Sequence, residues 1–382
     1  MVICQGEPAC ATFPNVLRGV TFIVCIFTTA FVGPTVLILP FLPILFLRHG
    51  WWRKYIDQLV GTWFIFVTRL LELCFNVKVN VTGELIEHEE PGLIIMNHRT
   101  GLDWLFFWNA LFNVDWRLLT SLKIVLKGAI KKAPGAGWAM QLNSLLFLNR
   151  RMEEDKEPIE DMVEYWARNG SHYQVLMYPE GTIMCKDTLE KSRKWEEKLN
   201  LERFDYVLHP RVKGFVLMVQ KMRQLGSIKF VYDVTLAYSD VIVESELEIF
   251  KGNTPKDIRY EVEKFRIEDL PESDEGLEEW LNGRWKVKEQ CLKSFYSQAQ
   301  EDRHLAQVFE PSHEIQKMRN ICTAVWFTVL AASVCMTLCY SQTVLPYYFV
   351  SSAIFVFVEC FYGGFDRLQV KLLCQDSKSK KK

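Results

Sequence analysis

Two long stretches of this 382-residue sequence lack charged side chains altogether. No Asp, Glu, Lys or Arg occurs in residues 19–47 or in residues 320–358, so all 91 charged residues lie in the rest of the chain. The formal net charge is only −1, which argues against a protein that binds nucleic acid through bulk positive charge. The sequence therefore combines uncharged terminal segments with a highly charged middle.

The sequence also lacks the motifs of several common enzyme classes. It has no Walker A sequence, no Gly-x-Ser-x-Gly nucleophile motif and no His-x-x-x-His zinc motif among its seven histidines. Its 11 cysteines include no Cys-x-x-Cys pair, which argues against a disulfide framework or a zinc ribbon. We therefore expect neither a metal ion nor a bound cofactor.

The uncharged segments are long enough to enter a membrane. One helix over residues 320–358 would be about twice as long as a hydrocarbon core is thick, so we predict two passes, at residues 321–340 and 344–358, with the turn near Ser341, Gln342 and Pro346. A buried hairpin in a soluble core is the alternative. The N-terminal segment contains three prolines, which leaves a kinked span and a re-entrant hairpin open.

The charged residues that flank the apolar segments predict which side of the membrane the middle of the chain faces and where each segment of the chain begins and ends. Lys and Arg follow the first segment and flank the C-terminal one, so the middle and the C-terminal tail are predicted to face the cytosol. We expect a membrane anchor with an interfacial helix (residues 1–75), a globular domain (76–300), a linker (301–318), a transmembrane hairpin (319–362) and a basic tail (363–382). The terminal lysines resemble a dilysine retrieval signal of the endoplasmic reticulum, although a solvated basic tail explains them almost as well.

The middle of the chain alternates between apolar runs and amphipathic stretches, which predicts an α/β fold. Strands are predicted at residues 77–81, 93–96, 145–148, 173–178, 230–238 and 258–267. Helices are predicted at residues 101–112, 123–132, 157–166 and 277–296.

His98 and Asp103 are separated by four residues across a predicted strand-to-helix turn. If Asp103 lies in the first turn of the helix, its carboxylate can orient the imidazole and leave the other ring nitrogen free as a base. The alternative is a capping box formed by Thr100 and Asp103. We expect Asp103 to serve fully only one of these purposes.

Two further groups follow predicted strands. Glu180 and Gly181 stand in a Tyr-Pro-Glu-Gly-Thr segment, where backbone N–H groups and one carboxylate would lie at the ligand-binding edge of a sheet. Arg150 ends another strand and suits a bidentate grip on phosphate, although a plain surface arginine is the alternative. Lys123, Lys127 and Lys131 recur at helical spacing, which fits either anionic headgroups or a solvated face.

His98 with Asp103, then Arg150, then residues 179–182, in this order, resemble the motif blocks of the 1-acylglycerol-3-phosphate acyltransferases. The resemblance implies a glycerolipid acyltransferase-type mixed sheet flanked by helices, and acyl transfer from acyl-CoA, as a co-substrate, to the free glycerol hydroxyl of a lysophospholipid. It implies that His98 is the general base and that Asp103 orients it. The implied substrate-binding residues are Lys127, Arg150, Glu180, Gly181, Thr182, Pro210 and Arg211.

The segments around these motifs indicate which branch of the family the sequence resembles. Residues 95–100, 134–141 and 206–211 resemble a branch that remodels phospholipids with larger headgroups, such as monolysocardiolipin, lysophosphatidylinositol or lysophosphatidylglycerol. Lysophosphatidic acid as the acceptor, and an inactive membrane lipid-binding scaffold, are the alternatives. The implied location is the endoplasmic reticulum membrane, with the mitochondria-associated membrane as a second possibility. Tyr178 departs from the Phe usual in the family, without loss of a charged group.

Overall fold

The computed structural model describes residues 12–379 except Ser171, Glu244 and residues 304–311, so the terminal lysines 380–382 lie outside the described residues. Seven strands form one sheet in the order β1-β7-β6-β2-β5-β3-β4. The strands are β1 (Lys78–Gly83), β2 (Gly92–Met96), β3 (Leu122–Lys127), β4 (Leu146–Leu148), β5 (Gln174–Met177), β6 (Phe230–Tyr238) and β7 (Asp257–Arg266).

The sheet is mixed, as expected. Strands β2 to β6 run parallel to one another, whereas β7 is antiparallel to β6 and parallel to β1. All five residues of β2 are buried, which suits an uninterrupted apolar run covered on both faces. Five parallel strands therefore end at one edge of the sheet, which is where α/β proteins place their ligand sites.

Fourteen α-helices are found within the described residues. They are α1 (Phe13–Val32), α2 (Pro43–Leu47), α3 (His49–Phe75), α4 (Asp103–Val114), α5 (Leu118–Ser121), α6 (Ala136–Leu142), α7 (Met152–Arg168), α8 (Lys186–Leu199), α9 (Val212–Gln224), α10 (Glu246–Phe250), α11 (Asp274–Ser297), α12 (His313–Cys339), α13 (Ser341–Tyr362) and α14 (Phe365–Ser379). The π-helical segment Gly33–Ile38 and the 3₁₀ segment Leu39–Phe41 continue α1.

The predicted helix over residues 123–132 is wrong. These residues form strand β3 and a 3₁₀ segment, Gly128–Lys132. Strand β3 pairs with β5 on one side and β4 on the other, and this pairing outweighs the helical spacing of the lysines. Lys123 is buried, whereas Lys127 is exposed at the end of the strand, so the lysines do not share one solvated face.

A buried polar network joins the N-terminal helices to the sheet. Arg53 of α3 donates to Asp57 at 2.8 Å, and Nζ of Lys123 in β3 donates to the same carboxylate at 2.7 Å. Gln369 of α14 is fully buried and accepts a hydrogen bond from the indole of Trp52 at 2.9 Å. Because each buried charge has a partner, the network ties α3, β3 and the C-terminal helix into one body.

Within the described part of the chain, four helical segments are long and apolar enough to cross a membrane: Phe13–Phe41, His49–Phe75, α12 and α13. The turn between α12 and α13 lies at Tyr340, whereas Pro346 lies inside α13. In the most apolar windows of α12 and α13 only 11% and 17% of the residues are buried, against about half in the first two segments. The chain thus has the apolar helices of a membrane protein, and α12 and α13 expose the most apolar surface.

Candidate active site

His98 stands directly beyond the carboxyl end of β2, at the shared edge of the parallel strands. The preceding side chain, Asn97, exchanges two hydrogen bonds with the backbone of Leu236 in β6, at 2.8 and 3.1 Å. The carbonyl oxygen of His98 accepts a hydrogen bond from the backbone N–H of Met184. The backbone of His98 is therefore fixed to two neighbouring segments.

Asp103 is fully buried at the first residue of α4. Its Oδ2 lies 2.9 Å from Nδ1 of His98 and also accepts the backbone N–H groups of Arg99 and Thr100. Because the carboxylate accepts, Nδ1 carries the imidazole proton and Nε2 keeps the lone pair. No described group hydrogen-bonds to Nε2, and the imidazole side chain is 13% exposed. A base is thus oriented on one side and open on the other.

The expectation that Asp103 serves only one purpose is wrong. While Oδ2 holds His98, Oδ1 accepts a hydrogen bond from the hydroxyl of Thr100 at 3.0 Å. The hydroxyl of Thr100 in turn accepts the backbone N–H of Leu102 at 3.1 Å. Since a carboxylate has two oxygens and about four acceptor positions, it supports the helix start and the imidazole together.

Glu180 is buried in the turn after β5, beneath His98. Its Oε1 accepts the backbone N–H of His98 at 3.2 Å and the indole N–H of Trp285 at 3.3 Å, whereas Oε2 is buried without a described partner. Burial raises the pKa of Glu180 to about 8, although hydrogen bonds from the backbone of His98, the indole of Trp285 and the backbone of Leu208 favour the charged form. The carboxyl group is therefore largely protonated at neutral pH.

Arg211 lies against the Glu180 turn, and its charge acts on Arg150. The backbone N–H of Arg211 donates to the carbonyl of Pro179 at 2.7 Å, and a Cβ on Gly181 would lie 3.1 Å from Cδ of Arg211. Burial and the nearby charge of Arg211 lower the pKa of the Arg150 guanidinium. Arg150 has a φ of 66°, a left-handed backbone conformation that is unfavourable for any residue with a side chain. Such strained residues cluster at functional sites. Arg150 and Arg211 therefore form a pair of neighbouring positive charges beside the turn that contains Gly181.

A family model described as Acyltransferase matches residues 78–239, and one described as Acyltransferase C-terminus matches residues 248–329. The chain is 33% identical to lysocardiolipin acyltransferase 1 of Mus musculus, over 92% of this chain and 94% of the relative. The chain belongs to the 1-acylglycerol-3-phosphate acyltransferase family. It is accordingly an O-acyltransferase.

Other acyltransferases of the family match as well. The chain is 39% identical to lysophosphatidylinositol acyltransferase 10 of Caenorhabditis elegans, over 74% of this chain and 73% of the relative. It is also similar to the crystal structure of the 1-acyl-sn-glycerophosphate acyltransferase PlsC from Thermotoga maritima, with a TM-score of 0.46 and 14% identity over 75% of this chain and 99% of that chain.

The acyltransferase brings most of its sequence-predicted site residues to one edge of the sheet. His98, Arg150, Glu180 and Gly181 follow parallel strands, and the loop with Arg211 joins them through Pro179. Among the predicted substrate-binding residues, Glu180 alone has a described contact with His98. Three others are not joined to this group by any described contact: Lys127, which is exposed at the end of β3, Thr182, which is half-buried, and Pro210, which is buried.

Sequence reasoning missed three aromatic residues of this site. The ring of Tyr178 stacks on the imidazole of His98, with centroids 4.1 Å apart. The hydroxyl of Tyr238 donates to Oδ1 of Asp103 at 2.6 Å, and Trp285 donates to Glu180. Tyr178 follows β5 and Tyr238 ends β6. Their position at the edge that the parallel strands share could have identified both as candidate site residues.

Glu289 in α11 fixes the loop that contains Arg211. Its carboxylate accepts the backbone N–H groups of three consecutive residues, Asp205, Tyr206 and Val207, at 2.8 to 3.1 Å. Burial raises the pKa of Glu289 above its usual value, which these three donors oppose. These hydrogen bonds join residues that are 82 to 84 positions apart, so a sequence motif could not predict them.

Proposed function

We propose that the protein transfers an acyl group from acyl-CoA to the free glycerol hydroxyl of a lysophospholipid. The open Nε2 of His98, with Asp103 bound to Nδ1, is the observation that carries this proposal. The names of two relatives support acceptors of the monolysocardiolipin or lysophosphatidylinositol type. The lysophosphatidylglycerol type rests on the resemblance of the sequence motifs. The reaction would remodel phospholipids.

His98 acts as the general base in this reaction. Nε2 takes the proton of the glycerol hydroxyl as the oxygen attacks the thioester carbonyl, and the carbon–sulfur bond breaks as the new ester forms. The leaving thiolate of CoA recovers a proton from the imidazolium, so His98 returns to its starting state. Such proton transfer contributes typically about 10²–10⁴-fold to the rate, and the Asp103 carboxylate stabilises the transient positive charge.

Transfer is direct, without an acyl-enzyme. No described serine or cysteine hydrogen-bonds to Nε2 of His98, so none is activated as a nucleophile. Cys185 follows Met184 in the loop next to His98, but its sulfur bonds only to Thr188. We expect Cys185→Ala to retain full activity and initial rates to show sequential kinetics. A ping-pong pattern that disappears in Cys185→Ala would contradict direct transfer.

Arg150 binds the phosphate of the acceptor, and Glu180, Gly181 and Thr182 shape the glycerol site beside it. Arg211 and Pro210 contact the acyl donor, and Lys127 adds positive charge at the edge. A guanidinium next to a second one attracts a phosphate strongly because their mutual repulsion is relieved on binding. Arg150→Ala should raise KM for the lysophospholipid about tenfold. Arg151→Ala is the matched control, since Arg151 is exposed and pairs only with Glu154.

Lysophosphatidic acid is the second candidate acceptor, which a different relative supports. The chain is 29% identical to probable 1-acyl-sn-glycerol-3-phosphate acyltransferase 5 of Arabidopsis thaliana, over 74% of each chain. Purified protein in vesicles, offered each lysophospholipid with several acyl-CoAs, separates the candidates by kcat/KM. Preference for lysophosphatidic acid would contradict the large-headgroup acceptors, and the absence of any transfer would indicate a lipid-binding scaffold.

The proposed location is the endoplasmic reticulum membrane, with the site on the cytosolic side. The basic residues on either side of the apolar segments support this orientation. A protease added to sealed microsomes should cleave the loops around the active site. Protection of those loops until detergent is added would place the site in the lumen.

A further inference from the structure

Three tyrosines surround the His98–Asp103 pair from three strands of the sheet. Tyr178 follows β5, Tyr238 ends β6 and Tyr260 lies within β7. Burial, reinforced by the charge of Asp103, raises the pKa of all three phenols well above the usual value. The three hydroxyls therefore remain protonated at any physiological pH and can only act as neutral groups.

Only one of the three hydroxyls bonds to the carboxylate. Tyr238 donates to Oδ1 of Asp103 at 2.6 Å, a short distance that is typical of a hydroxyl bound to a charged acceptor. The backbone N–H of Tyr238 is itself held by the hydroxyl of Tyr296 at 3.2 Å. The hydroxyls of Tyr178 and Tyr260 are buried without a described hydrogen-bond partner.

Tyr178 contacts the other member of the pair through its ring. Its plane lies 25° from the plane of the His98 imidazole, which is a stacked arrangement. The hydrogen bond to Asp103 fixes one ring nitrogen, and the stacked ring removes the remaining freedom of the imidazole to swing out of plane. Together these contacts determine where Nε2 points.

We propose that Tyr238 and Tyr178 are positioning residues for the His98–Asp103 pair. Tyr238 holds the carboxylate and draws part of its charge, whereas Tyr178 holds the imidazole through ring stacking alone. This inference rests on the proposed role of His98 as the base. The other polar groups facing the pair are the carboxyl of Glu180, the hydroxyl of Thr100, and Arg99, whose guanidinium binds the carbonyl of Met184 instead.

The first test measures the proton affinity of the pair without any acyl transfer. Diethylpyrocarbonate modifies neutral imidazole, so the labelling rate of the His98 peptide, followed by mass spectrometry across pH, has a measurable midpoint. In Tyr238→Phe, Asp103 keeps more of its charge for the imidazolium. The midpoint should therefore move up by about half a pH unit.

Tyr260→Phe is the matched control for this test. It removes a second buried hydroxyl near Asp103, but one without a hydrogen bond to any described residue, so the midpoint should stay where it is. Equal shifts in the two variants, or no shift in Tyr238→Phe, would overturn the role of Tyr238. Because labelling needs no substrate, these results stand even if the protein transfers no acyl group.

The second test separates the ring of Tyr178 from its hydroxyl. Tyr178→Phe keeps the stack and should leave kcat within about twofold of the parent. Tyr178→Leu removes the stack and should lower kcat about tenfold or more with little change in KM, because only the direction of Nε2 is affected. An equal loss in both variants, or no loss in Tyr178→Leu at unchanged thermal stability, would overturn the role of the ring.

Discussion

Oε1 of Glu180 accepts a hydrogen bond from the backbone N–H of His98, so the turn after β5 supports the loop that carries the proposed base. The same oxygen accepts the indole N–H of Trp285 from α11. A carboxyl group that is largely protonated at neutral pH performs this task as an acceptor without placing a negative charge beside Asp103. Glu180 thus holds the loop of His98 while largely uncharged, in addition to its proposed place in the glycerol site.

Stability should depend on the charge of Glu180. Its pKa is about 8 in the folded protein and 4.5 for the free side chain, so the folded state binds more protons between these values and loses stability as pH rises through that window. Glu180→Gln keeps an acceptor oxygen but cannot ionise. We expect its Tm relative to the parent to rise by at least about 2 °C between pH 6 and pH 9.

Glu190→Gln is the control for this measurement, since Glu190 is exposed on α8. Its Tm curve should run parallel to that of the parent across the same pH range. A Glu180→Gln curve that also runs parallel would show that Glu180 is ionised in the folded state.

Asp103→Asn separates the support of the helix from the orientation of the base. The amide oxygen can still accept the two backbone N–H groups, and the hydroxyls of Thr100 and Tyr238 can rotate to accept from the amide nitrogen. The charge that stabilises the imidazolium is lost, so we expect kcat/KM to fall about 10²-fold or more with a small change in Tm.

Asp115→Asn, at the other end of α4, is the control for the loss of one carboxylate and should leave kcat/KM unchanged. An Asp103→Asn variant with the kcat/KM of the parent would mean that Asp103 only supports the start of α4.

Gly181→Ala tests the contact between the Glu180 turn and Arg211. Gly181 has a φ of 68°, so any side chain costs about 1–2 kcal/mol, and the new Cβ would lie 3.1 Å from Cδ of Arg211. We expect a several-fold higher KM for acyl-CoA because the arginine must move.

Gly170→Ala is the matched control, since Gly170 has a φ of 63° and no atom within 4 Å of the added Cβ. Both variants should lose similar thermal stability, but only Gly181→Ala should change KM. Equal KM values in the two variants would contradict a role for Arg211 in donor binding.

Much of this site could be predicted from the sequence because its polar residues follow apolar strands. The rule that parallel strands end at one edge indicated the positions of His98 after β2 and Glu180 after β5, whereas their roles came from the resemblance to the acyltransferase family. The strand over Leu122–Lys127 could not be predicted, because lysines at helical spacing hid a segment whose structure is decided by pairing with β5 and β4. Likewise, nothing local connects Tyr238 to Asp103, which lies 135 residues away.

Acyl transfer by His98→Ala tests most directly whether His98 is the base. Parent and variant, purified into the same vesicles, are given radiolabelled acyl-CoA with a lysophospholipid, and the labelled phospholipid is counted. We expect the variant to lose about 10²–10⁴-fold in rate while it inserts into membranes as the parent does. The control is His172→Gln, which should keep the parent rate. His172 is exposed and precedes the amino end of β5, whereas the active site lies beyond the carboxyl end. Undiminished transfer by His98→Ala would contradict the assignment of His98 as the base.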